Sequence, residues 1–167
     1  MKTLNYLSLL LLSCITIACG LYSFNGASIS NETKTVSVEY FPNKASNVEP
    51  TLSQVFTEKL KDYFVEQTNL ILTAKEGDLS FSGEISKYEI KPISINSEQT
   101  AEKNRLSISV KVDFVNRHDE TKNFNQNFSR YRDYESSENL SEIEENLIQE
   151  ITNELAEDIF NKAVVNW

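Results

Sequence analysis

The stretch RLSISVKVDFV, residues 105–115, constrains the fold more than any other segment of the chain. Leu106, Ile108, Val110, Val112 and Phe114 alternate with Arg105, Ser107, Ser109, Lys111 and Asp113. A period of two sends the apolar set to one face of a strand and the polar set to the other. A strand of this kind must be covered on its apolar side and can stay wet on the other. The polar NRHDETKN (116–123) then reads as a turn and FNQNFSRYRDY (124–134) as a returning strand, which makes an antiparallel hairpin.

Other segments supply the rest of the sheet. TKTVSVEYF (33–41) puts Val36, Val38 and Tyr40 on one face and stops at Pro42. LSFSGEISKYEI (79–90) turns Leu79, Phe81 and Ile85 inward, but Tyr88 and Ile90 fall in the opposite phase. One extra residue near Ser86–Lys87, a bulge, reconciles the two halves. Leu70–Thr73 is a weaker strand signal, and NSEQTAEKN (96–104) reads as a polar loop.

The covering layer is helical. Leu52, Val55, Phe56, Leu60, Tyr63 and Phe64 recur at helical spacing, with Thr51 and Gln54 placed for a capping box. Ile143, Leu147, Ile148, Ile151, Leu155, Ile159 and Ala163 do the same over 141–165, with Ser141 and Glu144 as a second box. The glutamates at the start of that helix suit the positive end of its dipole. The expected fold is therefore α+β. It is a two-layer sandwich with both amphipathic helices on one face of a mostly antiparallel four-stranded sheet, in the order β-α-β-β-β-α. Its uncovered face carries small residues, among them Ser80, Ser82, Ser107 and Ser109.

The first residues read differently. Lys2 is followed by a nearly unbroken apolar run from Leu4 to Ile17, about 14 residues, too short for a bilayer core that needs about 20. This is the pattern of a secretory signal. The run closes on a small residue and a cysteine, as in bacterial lipoproteins, where the cysteine becomes the new N-terminus and carries a diacylglycerol and an N-acyl chain such as palmitate. Ser13–Cys14 and Ala18–Cys19 both fit this pattern. Cleavage before Cys19 uses the whole apolar run, whereas cleavage before Cys14 strands Ile15 and Ile17. The expected organisation is a signal peptide at 1–18, lipid on Cys19, a polar tether over 19–32 and one domain over 33–167. With no third cysteine, the mature chain has no disulfide and no cysteine-based metal site.

The side chains point away from catalysis. His118 is the lone histidine and falls in the 116–123 turn, so it reads as a solvated turn residue. No glycine-rich phosphate loop and no Gly-x-Ser-x-Gly elbow occurs. The expectation is a protein that is not an enzyme and needs no cofactor. A net charge of −9 argues against nucleic acid, whose phosphates it would repel. Arg105, Lys111, Arg130 and Arg132 fall on the hairpin strands, with Lys87 and Lys91 on the strand before. Together they are a candidate patch for an anionic ligand.

Five segments carry a resemblance: CGLYSFNGASI (19–29), TVSVEYFPNKA (35–45), PTLSQVFTEKLKDYF (50–64), GDLSFSGEISKYEIKPI (77–93) and EDIFNKAVVNW (157–167). Taken in order, they resemble the LptE family, outer-membrane lipoproteins of Gram-negative bacteria. The resemblance implies lipid on the cysteine directly before Gly-x-Tyr-Ser-Phe, which is Cys19, and two helices on a small sheet. It also implies a role as a plug and assembly partner inside the LptD β-barrel, which places lipopolysaccharide in the outer leaflet, with the body facing the periplasm. Basic residues described in some members as contacting lipopolysaccharide have no matching motif here. The alternative is a periplasm-facing binding or regulatory lipoprotein of the envelope with no barrel partner.

Overall fold

A computed structural model describes residues 29–93 and 102–165. The signal segment, Cys14, Cys19, Tyr22, Phe24 and most of the polar loop at 96–104 lie outside these residues. The elements run in the order β1 (Thr35–Val38), α1 (Leu52–Gln67), β2 (Ile71–Thr73), β3 (Leu79–Ile93), β4 (Lys103–Asn116), β5 (Phe124–Glu135) and α2 (Leu140–Val164). They form one five-stranded sheet in the order β2-β1-β3-β4-β5, and α1 and α2 pack on each other and on one side of it.

The α+β class and the two helices match the expectation, but the strand count and directions do not. The short segment after α1 is a true strand, and β1 runs parallel to both of its neighbours, β2 and β3. The sheet is therefore five-stranded and mixed, with antiparallel pairing confined to β3-β4-β5. The crossover through α1 returns the chain to the start of β1, so β2 has to run beside it in the same direction. β2 is hard to read from sequence because it has three residues and leaves Ile71 and Leu72 exposed, with no inward-outward alternation.

β2 and β3 flank β1 on opposite sides, so the short link between them crosses β1. It does so on the backbone itself: a Cβ on Gly77 would lie 2.5 Å from the Ser37 nitrogen. Glycine permits that approach. In β3 the register shifts between Ile85 and Lys87, which is the expected bulge, and it brings Tyr88 into the core.

Three local expectations fail for physical reasons. Tyr40 is 61% exposed, because the strand ends at Val38 and Phe41 takes the core position, its N–H donating to Thr57 Oγ1 at 3.1 Å. Thr51 makes no capping box. Glu49 Oε1 takes the Thr51 N–H at 3.0 Å, the donor that Gln54 would have satisfied, and the Thr51 hydroxyl as well at 2.7 Å, a carboxylate outcompeting a neutral amide for the N–H. Ser141 is not the second cap either. Asn139 caps α2, accepting from the Ser141 N–H, and its own amide donates to Glu142 Oε1 at 3.1 Å. Glu144 turns to β3 instead and accepts the Tyr88 hydroxyl.

The core is a stack of rings. Phe124, Phe114 and Phe81 run across β5, β4 and β3 with centroids 5.0 and 4.7 Å apart. Phe64 of α1 continues the stack at 4.7 Å from Phe81, and Phe160 of α2 closes it at 5.1 Å from Phe64. One line of tilted contacts thus ties three strands to both helices.

Candidate functional site

With both helices on one side, the opposite face of β3, β4 and β5 is open. β4 sends Arg105, Ser107, Ser109 and Lys111 to it, because their partners in alternation, Leu106 to Val112, are fully buried. The register places Lys87 beside Ser109, and Lys111 between Glu84 and Asn127. Hydroxyls satisfy one another across strands: Ser109 Oγ donates to Ser129 Oγ at 3.0 Å, and Ser37 Oγ to Ser80 Oγ at 3.0 Å.

Most charges on this face are neutralised within it. Glu89 takes Lys87 at 2.7 Å and Lys91 at 3.0 Å, and the two lysines hold its carboxyl below the usual range. Arg105 grips Asp133 through two bonds of 2.7 and 2.9 Å, and its guanidinium lies 3.7 Å from the Tyr131 ring centre. Among the described residues Lys111 has no carboxylate within 4.0 Å, and so it is the cation of the sequence-derived patch with no ion-pair partner on this face.

Arg130 and Arg132 are not part of this surface. They pair in register with the buried Ile108 and Leu106 and so point to the helix side. There Arg130 clasps Asp158 of α2 with two bonds of 2.6 Å, and Arg132 reaches Glu150 at 2.7 Å and Glu154 at 3.1 Å. These contacts hold both guanidiniums in the charged form, and Arg132 holds the Glu154 carboxyl below its usual range. The proposed group of cations is thus divided by the sheet. Phe124, Phe128 and Tyr134 carried the missing signal: they are even-numbered and buried or packed on the core, so even-numbered arginines share their side. The acidity lies mainly on α2, where seven carboxylates face one lysine, and two strand arginines neutralise part of it.

A second constellation sits where the chain enters the sheet. Asp78 Oδ2 accepts from the Lys34 N–H at 2.8 Å, the Thr35 N–H at 2.9 Å and the Thr35 hydroxyl at 2.9 Å. The backbone donor of Lys34, aided by the Thr35 donors and His118, pulls its carboxyl down to about 2. His118 is therefore not merely solvated. Its Nε2 lies 3.2 Å from Asp78 Oδ1 and ties the β4–β5 connection to the start of β3. The pair resembles the base-and-orienter half of a hydrolytic triad, but the His118 Nδ1 faces Glu32 at 3.9 Å, not a hydroxyl or thiol. Among the described residues no set of three His, Cys, Asp or Glu is grouped to hold a metal, and no helix is long and apolar enough to cross a membrane. Beside this cluster lies a cavity of about 440 Å³, lined by Ile29, Glu32, Leu79, Asn116, His118 and Val164 among others.

The depressed Asp78 value sets a pH dependence. A carboxyl bound more tightly as the anion in the fold stabilises above its unfolded pKa and loses that contribution as pH falls through the folded value. Asp78→Asn is expected to cost about 1–2 kcal/mol near pH 7, below the full linkage value because water reaches the group. The gap to wild type is expected to close between about pH 4 and pH 2 in urea titrations. A gap that persists at pH 2 would mean that the carboxylate is not the source.

Comparison with known proteins adds the family. The family model described as lipopolysaccharide-assembly, LptE, matches residues 33–163. No curated protein matches the chain by sequence. Among solved structures, a minor lipoprotein of Acinetobacter baumannii aligns with a TM-score of 0.53 at 15% identity, covering 78% of this chain and 92% of that one. Lipoprotein B of Nitrosomonas europaea gives 0.54 at 11%, covering 86% and 88%. A neuraminyllactose-binding hemagglutinin homologue of Helicobacter pylori gives 0.51 at 9%, covering 84% and 88%. At these identities the likeness is one of fold alone. The family model spans the sheet and both helices, and the chain therefore belongs to the LptE family of lipopolysaccharide-assembly proteins.

Proposed function

We propose that the protein is a lipid-anchored accessory subunit that docks inside the lumen of an LptD-type β-barrel at the outer membrane, faces the periplasm and carries out no chemistry of its own. The observation that supports this reading most is the open sheet face of an LptE-family body. It offers hydroxyls, amides and internally paired charges, which is what a polar barrel lumen accommodates. Such a surface can be buried with few charges left unpaired, whereas an acidic body with scattered unpaired cations would leave a desolvation cost. Lipid on Cys19, with two attachment points for acyl chains, would hold the body at the membrane persistently. Docking needs no general attraction to an anionic glycolipid, which a chain of net charge −9 would not supply.

Detergent extraction of native outer membranes tests the reading. A barrel protein is expected to co-purify in near-equal amount, and Cys19→Ser is expected to move the protein to the soluble fraction. Recovery of the protein alone, still membrane-bound through Cys19, would favour a free-standing periplasm-facing lipoprotein.

A further inference from the structure

The two outer strands of the sheet are not alike. β2 is three residues long, and shortness by itself blunts an edge. β5 runs for 12 residues, pairs with β4 from Phe124 to Glu135 without a register shift, and contains no proline and no lysine. The Ser136 N–H donates to the Glu102 carbonyl, just ahead of β4, at 2.9 Å, so the even-numbered residues of β5 turn their backbone groups to β4. The N–H and C=O groups of Asn125, Asn127, Ser129, Tyr131 and Asp133 therefore point away from the sheet. At the far end side chains meet such groups: Arg132 donates to the Tyr131 carbonyl at 3.0 Å, and Glu138 accepts the Glu135 N–H at 3.0 Å. The stretch from Asn125 to Ser129 carries no charge, and four of its five residues are exposed.

An edge of this kind takes an added strand whose side chains tolerate its own. β5 is itself such a strand. Antiparallel pairing of two copies about Ser129 sets Ser129 against Ser129, Asn127 against Tyr131 and Asn125 against Asp133 on the open face. On the helix side it sets Phe128 against Arg130, Gln126 against Arg132 and Phe124 against Tyr134. No like charges stand opposite each other, an amide meets a carboxylate, and a guanidinium meets a ring. The other pairings are poorer. Centring on Tyr131 sets Arg130 against Arg132, centring on Asn127 pairs only 124–130 of the strand, and a parallel in-register pair sets every charge against itself. The acidic α2 does not oppose the approach, because the carboxylates on its flank by β5, Glu150, Glu154 and Asp158, are already held by Arg130 and Arg132.

We infer that two copies of this chain join β5 to β5, antiparallel about Ser129, and continue the sheet across a two-fold axis. The helices of both copies then lie on one side and the open faces on the other. The pairing does not rest on the barrel reading; it belongs to the body free of such a partner.

The full chain, purified in mild detergent with no other protein present, tests the pairing. Light scattering corrected for detergent is expected to give twice the mass of one chain. Single added cysteines then read the register with a short bis-maleimide, against the chain with none added. Ser129→Cys sets two thiols across the two-fold axis, on Cα atoms about 5.5 Å apart, and is expected to give a covalent dimer. Asn125→Cys sets them about 27 Å apart, at about 3.4 Å per residue, and is expected to give no more product than the parent chain. Ser129→Lys, which brings two like charges face to face at an exposed position, is expected to weaken association roughly fivefold with the circular dichroism unchanged. A single-chain mass, equal cross-linking from both cysteines, or association unaffected by Ser129→Lys overturns the pairing. Co-purification with a barrel from native membranes decides the docking reading separately.

Discussion

Phe81→Ala is expected to lower the unfolding free energy by about 3–5 kcal/mol. Phe81 is fully buried on β3 and holds the centre of the ring stack, touching Phe114 on one side and Phe64 on the other. Its removal does more than delete apolar area. It opens a gap between sheet and helix layer that Gly83 cannot help fill and that neighbouring strands, fixed by their ladders, cannot close. For a domain of this size that corresponds to a melting temperature lower by about 10 °C or more. Thermal denaturation followed by circular dichroism reads it directly. A shift of only about 1–2 °C would mean that the layers close over the gap. Phe81→Leu, which keeps most of the volume, is expected to cost much less.

Gly83→Ala is expected to rival that effect while adding only one methyl group. Gly83 lies inside β3 with φ of +152°, a conformation that L side chains rarely adopt. The added Cβ would stand 2.0 Å from the Lys111 carbonyl oxygen and 2.8 Å from Phe41 Cε1. The first contact is backbone of the neighbouring strand and cannot swing away. Strain and overpacking together are expected to cost about 3 kcal/mol or more. Urea denaturation should show the midpoint falling with little change in slope. If the variant instead keeps wild-type stability, β3 and β4 can part locally at this point, and the close approach is not required for the fold.

The two substitutions show what local pattern records and what it omits. Phe81 was legible as an inward residue from the alternation of LSFSGEI alone. Gly83 was not, because nothing in its neighbours announces that Phe41, forty-two positions earlier, lies across it. The helices were legible from their apolar spacing, but their caps were not. Each expected box lost to a competitor: the Thr51 N–H to Glu49, and the Glu144 carboxylate to Tyr88, a residue of another element. The cationic patch failed in the same way. Its members were assigned to strands correctly, but Arg130 and Arg132 face α2, and Asp158, Glu150 and Glu154 on that helix decide their chemistry. Lys87, Arg105 and Lys111 stayed together because the period of β3, past its bulge, matches that of β4.

By itself, the order of residues determined the α+β class, the two amphipathic helices, the β3–β4–β5 meander with its bulge, and which side of β4 is buried. These are properties of period and phase, and period and phase are written locally. Only the tertiary structure decided that β1 is flanked in parallel by a three-residue strand, that Asp78 and His118 meet at the entry to the sheet, and that the arginines divide between the two faces. Those outcomes depend on contacts between residues far apart in the chain, whose free energy is set by the partner that arrives and not by the residues on either side.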